Sequence, residues 1–390
     1  MDKAFLRSGR IFCVTVVVIF FGLGCATATQ PTDTIRLLTH EEFHLPQEAI
    51  DDFTDRTGIE VLVFVEKNTT TMVDLLERTV ANPIADVVLG IDSLERRRVT
   101  EKRLVEPYRP IALAKLDPSL LLQDGMLTPV SQLAACLNRS KSRYDSAPRR
   151  IDQLPKPGEI PLQAPEKIDD LIDPRHAEQA VIPDPLSSRL GLYFLVAIER
   201  LHPENVEGVT PWPKFVDEML RWGVEIAPSW EEAWFSRFQP SAGLANTDTR
   251  SLTWGSSGMP AVSVRFLPEL PDDVDVAVID SGCVKIVNYA GVVNNTPNRR
   301  NAGRLVDAFI EPLFQFEVPD RYGSRPTRTD IVRTDAWRRF GVNVTAIPID
   351  EWRIGPLWEV WLMTWKQIVD SVASGEEPLP PIVQVTLPTE

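Results

Sequence analysis

Between Thr34 and Glu101, short apolar runs and amphipathic stretches take turns, and this alternation leaves few architectures open to the chain. Thr34–Thr39 reads as a strand, Gln47–Thr57 as a helix, Glu60–Val65 as an alternating strand and Thr71–Ala81 as a helix. Ala85–Gly90 is a buried apolar strand running into Gly90-Ile91-Asp92, with a helix starting near Ser93. Strands interleaved with helices predict a parallel α/β sheet, because each parallel strand needs a crossover to reach its neighbour.

A second series follows an irregular stretch rich in Pro, Arg and Lys at 139–170. Gln179–Ile182 reads as a strand, Ser188–Leu201 and Pro213–Trp222 as helices, Val224–Ile226 as a strand and Trp230–Phe238 as a helix. Ser251–Trp254, Val274–Ile279 and Val284–Val287 read as strands, Asn298–Ile310 as a helix and Trp358–Ala373 as a closing amphipathic helix. The expected organisation is a first lobe at 34–130 and a second at 131–278, the latter carrying the 139–170 excursion. The chain then returns to the first lobe with the closing helices at 279–373, and a Pro- and Glu-rich tail at 374–390 is expected to be disordered. Two such lobes crossed twice by the chain form a cleft, with ligand sites outside the carboxyl ends of the strands.

Lys3, Arg7 and Arg10 precede an apolar run from Ile11 to Leu23, and small residues with Cys25 follow. This layout is a secretory signal, 1–24, with a lipid-attachment cysteine. The run is too short for a comfortable membrane span. The mature chain is expected to start at Cys25, hang from a membrane by a tether over 25–33 and work outside the cytoplasm. Cleavage near Ala28 without lipid, or an uncleaved anchor, are the alternatives. The formal charge is −14; residues 1–24 carry three positive charges and one negative, so their removal leaves −16. That balance provides no basic patch for a phosphate backbone, and no nucleic-acid partner is expected. Cys13 lies in the signal and Cys25 is the lipid candidate, which leaves Cys136 and Cys283. In an oxidising compartment they suggest one disulfide, and they fall near the two presumed lobe crossings; two buried free thiols are the alternative.

Several segments, in order, resemble the thiamine-binding solute receptors of bacterial ABC importers, a branch of the type II periplasmic binding proteins. They are Leu38-Thr39-His40-Glu41-Glu42-Phe43, Ala85–Asp92, Pro183–Leu192, Ser229–Trp234, Thr253–Ser257, and Ala302–Ile310 with Val318-Pro319. The resemblance covers roughly residues 35–365. It implies a two-lobed type II periplasmic-binding-protein-like fold, each lobe a mostly parallel sheet flanked by helices, with the ligand cleft between lobes. It also implies a monomeric receptor without cofactor or catalysis that presents a small solute to a membrane permease. By position, Trp230 matches a stacking tryptophan, Trp254 stands for a tyrosine, Ser187 and Ser188 match a Ser/Thr pair that hydrogen-bonds ligand, and Asp92 ends the Gly-x-Asp strand. The chain departs from the pattern at His40-Glu41-Glu42 for Tyr-Asp-Ser and at Ser131-Gln132-Leu133 for Asp-Tyr-Gly. It departs again beyond Tyr322, itself a candidate ligand-binding residue, where Gly323 takes the place of a tryptophan.

The residues themselves support such a site. Trp230, Trp234 and Trp254 could stack a flat cationic ring, at about 0.5–2 kcal/mol per contact; core packing is their other use. His40, Glu41, Glu42 and Asp92 sit at strand ends, where a carboxylate could neutralise a ligand cation. Solvated loop charge and helix capping explain the same acids. Ser187-Ser188 and Ser256-Ser257 precede helices or turns, where hydroxyls bind ligands or simply cap. A polyamine, an amino-acid derivative or a phosphate ester remain alternative solutes. His40-Glu41-Glu42-Phe43-His44 also fits the H-E-x-x-H zinc signature, with His176 or His202 as a third ligand, and so raises a secreted metalloenzyme as a further alternative. That chemistry needs both histidines on one helical face, whereas this pentapeptide follows a strand and precedes Pro46. No metal site is therefore expected, and no nucleophile or phosphate-loop motif is present.

Overall fold

A computed structural model describes residues 33–376, apart from 44, 146–161, 239, 241–248, 266 and 356, with backbone alone at 319–322 and 352. The signal, Cys25 and its tether, the middle of the 139–170 excursion and the tail beyond 376 lie outside the described residues. No helix among the described residues is long and apolar enough to cross a membrane.

The strands are β1 (Thr34–His40), β2 (Glu60–Glu66), β3 (Val87–Asp92), β4 (Val105–Glu106), β5 (Thr128–Ser140), β6 (Ala180–Pro183), β7 (Glu225–Ala227), β8 (Leu252–Ser256), β9 (Val276–Val293) and β10 (Arg325–Pro326). They join one sheet in the order β2-β1-β3-β9-β5-β8-β6-β7, with β4 on β9 and β10 on β5. Three strands at each end are mutually parallel: β2-β1-β3 in the first half and β8-β6-β7 in the second. The antiparallel pair β5 and β9 runs through both halves. Its register breaks near Pro129 and again in the middle, where Ala135 pairs Val284 but Leu137 pairs Ile279. The second break is the one at the crossing between halves. Cys136 and Cys283 sit at that break and are joined by a disulfide, so the covalent bond ties together the two strands by which the chain passes between halves.

Local sequence explains the elements. The helix Thr69–Thr79 starts on a reciprocal cap in which Asn68 accepts from the Thr71 N–H and Thr71 returns to the Asn68 backbone. β1 buries Ile35, Leu37 and Leu38 completely, as a strand covered on both faces should. The three largest apolar clusters among the described residues make up most of the core. Two lie on opposite faces of the first half, and one packs the Arg189–Leu201 helix against the second half and the helix Trp212–Arg221.

The fold is the α/β arrangement expected, with three differences in detail. Val274–Ile279 and Val284–Val287 read as two strands but are parts of the single strand β9, because Asp280–Cys283 form only a bulge opposite Cys136. Residues 139 and 140, expected to open the excursion, end β5, a strand that the sequence hid behind Pro129 and small polar residues. The closing helix Trp358–Ser374, expected with the first lobe, lays Trp361, Trp365 and Ile368 on the second half's core, and Trp365 Nε1 donates to Asp184 at 3.0 Å.

Candidate ligand cleft

A cavity of about 90 Å³ lies between the halves. The ends of β1 and β3 supply His40, Glu42 and Asp92, and the middle of β5 and β9 supplies Ser131, Leu133 and Asn288. From the second half come Arg189 and Tyr193, the indoles of Trp230 and Trp234, and Gly255 and Ser256 from the end of β8. The site therefore stands at the facing carboxyl ends of the two parallel strand sets of the sheet, where open α/β folds place ligands.

His40 is buried at the end of β1, with Nε2 3.0 Å from the Gly90 carbonyl and 3.1 Å from the Thr69 hydroxyl. A carbonyl only accepts, so Nε2 carries the proton and Nδ1 is a bare lone pair, buried without a partner. Burial drives the imidazole down to about 4, so the ring is neutral at neutral pH. Gly90 makes room for it: its φ is +99°, and a Cβ there would stand 2.8 Å from His40 Nε2.

Glu42 is half-buried. Its Oε1 accepts the Arg189 backbone N–H at 3.1 Å, and its Oε2 is shielded from solvent with no hydrogen-bond partner. Burial pushes this carboxyl up to about 7. Near neutrality it can donate as an acid or accept as an anion, which makes it the most adaptable polar group in the cleft.

Asp92 differs. Its Oδ1 caps the following turn by accepting the Leu94 and Glu95 N–H groups, each at 3.1 Å. The Arg189 guanidinium grips both oxygens at 2.5 and 2.8 Å. Burial alone would raise this carboxyl, but the Arg189 charge and these hydrogen bonds outweigh it and hold it below the usual range. Capping and cleft lining thus coincide in one residue whose acceptors are already taken.

The tryptophans divide. Trp230 is half-buried at the cleft. Trp234 is buried beside it, lying over Gly255, where a Cβ would come within 3.1 Å of the indole, and its Nε1 has no partner. Trp254 does not line the cavity: it lies in the second half's core, 5.4 Å edge-on from Phe194. The period of two along β8 explains this, since Trp254 points to the face opposite Gly255.

The remaining sequence candidates scatter. Glu41 is exposed outside the cavity. The Ser187 hydroxyl donates to the Pro228 carbonyl at 2.6 Å. Ser188 is buried, and its hydroxyl makes no cap bond. Ser256 lines the cleft but donates to the Gly323 carbonyl at 2.9 Å, and Ser257 is buried beside it. Tyr322 ends the helix Pro312–Tyr322, and its side chain lies outside what is described, as does His44. Of the zinc motif, His40 ends a strand and Glu41–Phe43 form a turn, so the pentapeptide offers no helical face. Among the described residues no cluster of three or more His, Cys, Asp or Glu could hold a metal.

Arg189 escaped the sequence reading. Its signal was a cation at the first position of a helix, where the dipole disfavours positive charge; such a residue needs an acid elsewhere to hold it.

No family model matches the chain, and no curated protein matches it. Solved structures do. A periplasmic thiamin-binding protein is 15% identical with a TM-score of 0.68, covering 86% of this chain and 96% of that one. The periplasmic binding protein P5PA is 16% identical with a TM-score of 0.62, over 85% and 99%. Iron-bound HitA from Pseudomonas aeruginosa is 15% identical with a TM-score of 0.64, over 86% and 99%. The fold is that of the two-lobed periplasmic binding proteins. These neighbours carry different cargoes, thiamin in one and iron in another, so the shared fold leaves the solute open.

Proposed function

We propose that the protein is an extracytoplasmic solute-binding receptor of an ABC importer. It is secreted by its leader, anchored through Cys25, and works as a monomer without cofactor or covalent chemistry. Its ligand is a small flat ring of the thiamine type, carrying a positive charge or an amino edge, which it passes to a membrane permease. The observation that carries this reading is the cleft itself: two indoles, Trp230 and Trp234, line the same cavity as a partly buried carboxyl group, Glu42, with one oxygen unpaired. An indole face attracts a ring cation, and Glu42 can accept from an amino group or donate to a ring nitrogen. The cavity, about 90 Å³, is smaller than the roughly 300 Å³ at which ligand pockets begin, so on this reading the halves part about β5 and β9 to load.

Thermal melting with thiamine and its phosphates tests the reading, since a tight ligand in excess raises the melting temperature by several degrees. Absence of a shift, together with a shift from another solute, reassigns the ligand. One observation favours that second outcome: Asp92 is already paired and Ser131 and Leu133 line the cavity where the resembled family has an acid and a glycine. Mass spectrometry of whatever co-purifies with the native protein identifies the solute directly.

A further inference from the structure

Arg189 opens the helix Arg189–Leu201 in the second half, yet the hydrogen-bond acceptors of its backbone N–H and guanidinium all belong to the first. Its backbone N–H donates to Glu42 at 3.1 Å. Its guanidinium donates to both oxygens of Asp92 at 2.5 and 2.8 Å and to the Thr70 hydroxyl at 3.3 Å, with Glu95 3.8 Å away. The Trp358 ring, 5.8 Å from the guanidinium carbon, closes the remaining side. The side chain is 11% exposed and Asp92 4%, so this ion pair is sheltered within the closed cleft.

We infer that Arg189 is a specificity-determining residue, a built-in cation that fills the Asp92–Glu95 acid pocket whenever the halves close. Linear amines, polyamines and guanidines are thereby refused, and a ligand's positive or donor edge is directed to Glu42. The inference builds on the receptor reading. A tethered cation competes at a high effective concentration. A free cation that displaced it would leave the guanidinium enclosed without its partner, a strongly unfavourable state. Discrimination of this kind works by repulsion as much as by fit. Both Asp92 oxygens are bidentately matched to a planar fork, so the pocket is shaped for a guanidinium and not for a spherical ammonium ion.

Removal of the arginine should turn the pocket into a site for free guanidinium compounds. Arg189→Ala is expected to melt below the unsubstituted protein and to regain several degrees in millimolar methylguanidinium, compared with sodium chloride at equal ionic strength. The unsubstituted protein should not respond, and adding Asp92→Asn to Arg189→Ala should abolish the response. A response of the unsubstituted protein as large as the variant's overturns the inference, and so does an Arg189→Ala protein that ignores methylguanidinium. If Arg189→Ala does not fold, Asp92→Asn decides alone. Asn still accepts from Leu94 and Glu95 but loses the charge, so the separation of spin labels at Glu48→Cys and Lys214→Cys should lengthen in the ligand-free protein; an unchanged separation overturns the inference. These readouts need no solute. Failure of the thiamine-type reading shows instead as an unsubstituted protein that no ring compound stabilises.

Discussion

Replacing both Cys136 and Cys283 with Ala should destabilise this protein about as much as the costliest single core substitutions. The bond closes a loop of 147 residues. In the chain-entropy treatment, cross-linking a loop of that length removes about 17 cal/mol/K from the unfolded chain, or about 5 kcal/mol at 25 °C. Both cysteines are fully buried at the central register break of β5 and β9, so their loss acts on the strands that join the two halves. With a urea slope of roughly 3 kcal/mol per molar, the unfolding midpoint should fall by about 1.5–2 M. Urea titration followed by far-UV circular dichroism measures this. The single variants Cys136→Ala and Cys283→Ala should each cost nearly as much as the double, because either one breaks the same bond. Costs for the two singles that add up to the double, or a double variant within about 1 kcal/mol of the parent, would refute the loop argument.

Further predictions concern the cleft. Trp230→Ala should weaken binding of a ring ligand by about 10- to 30-fold, from one lost stacking contact of about 1.5–2 kcal/mol; Trp254→Phe should lower stability and leave affinity nearly unchanged, both read by calorimetric titration and melting. Burial raises Glu42 and Glu351 to about 7 from 4.5, so the folded protein keeps protons that the unfolded chain releases, and these groups withdraw stability as pH rises from 4.5 to 7. His40, lowered from 6.5 to about 4, acts oppositely and withdraws stability as pH falls through that lower window. Glu42→Gln should therefore gain stability relative to the parent as pH rises from 4.5 to 7, and a constant gap in denaturant titrations across that range would contradict the assignment. Gly90→Ala should cost about 1–3 kcal/mol, since it strains a φ of +99° and drives a methyl into His40.

Much of the fold was legible because its signals are local. The helix Gln47–Thr57 and the strand Thr34–His40 lie where periodicity placed them. The start of β5 was not legible, since Thr128-Pro129-Val130-Ser131-Gln132 lacks strand periodicity and is held by pairing to β9 and β10. In the cleft, Trp230, Trp234, Glu42, Asp92, His40 and Ser256 were legible as strand-end or helix-start residues. Trp254 was not, because only the facing of β8 decides whether an indole meets the gap or the core. Arg189 and Asp92 are 97 residues apart, and no pattern along the chain records that they meet.

The amino-acid sequence alone determined the α/β alternation and pointed to the pairing of Cys136 with Cys283, because these depend on neighbouring residues or on simple counting. Tertiary structure alone decided which carboxyl group in the cleft is free. Glu42 keeps an unpaired oxygen and Asp92 does not, because a guanidinium from the opposite half reaches Asp92 first, and its strength comes from being sealed away from water when the halves meet.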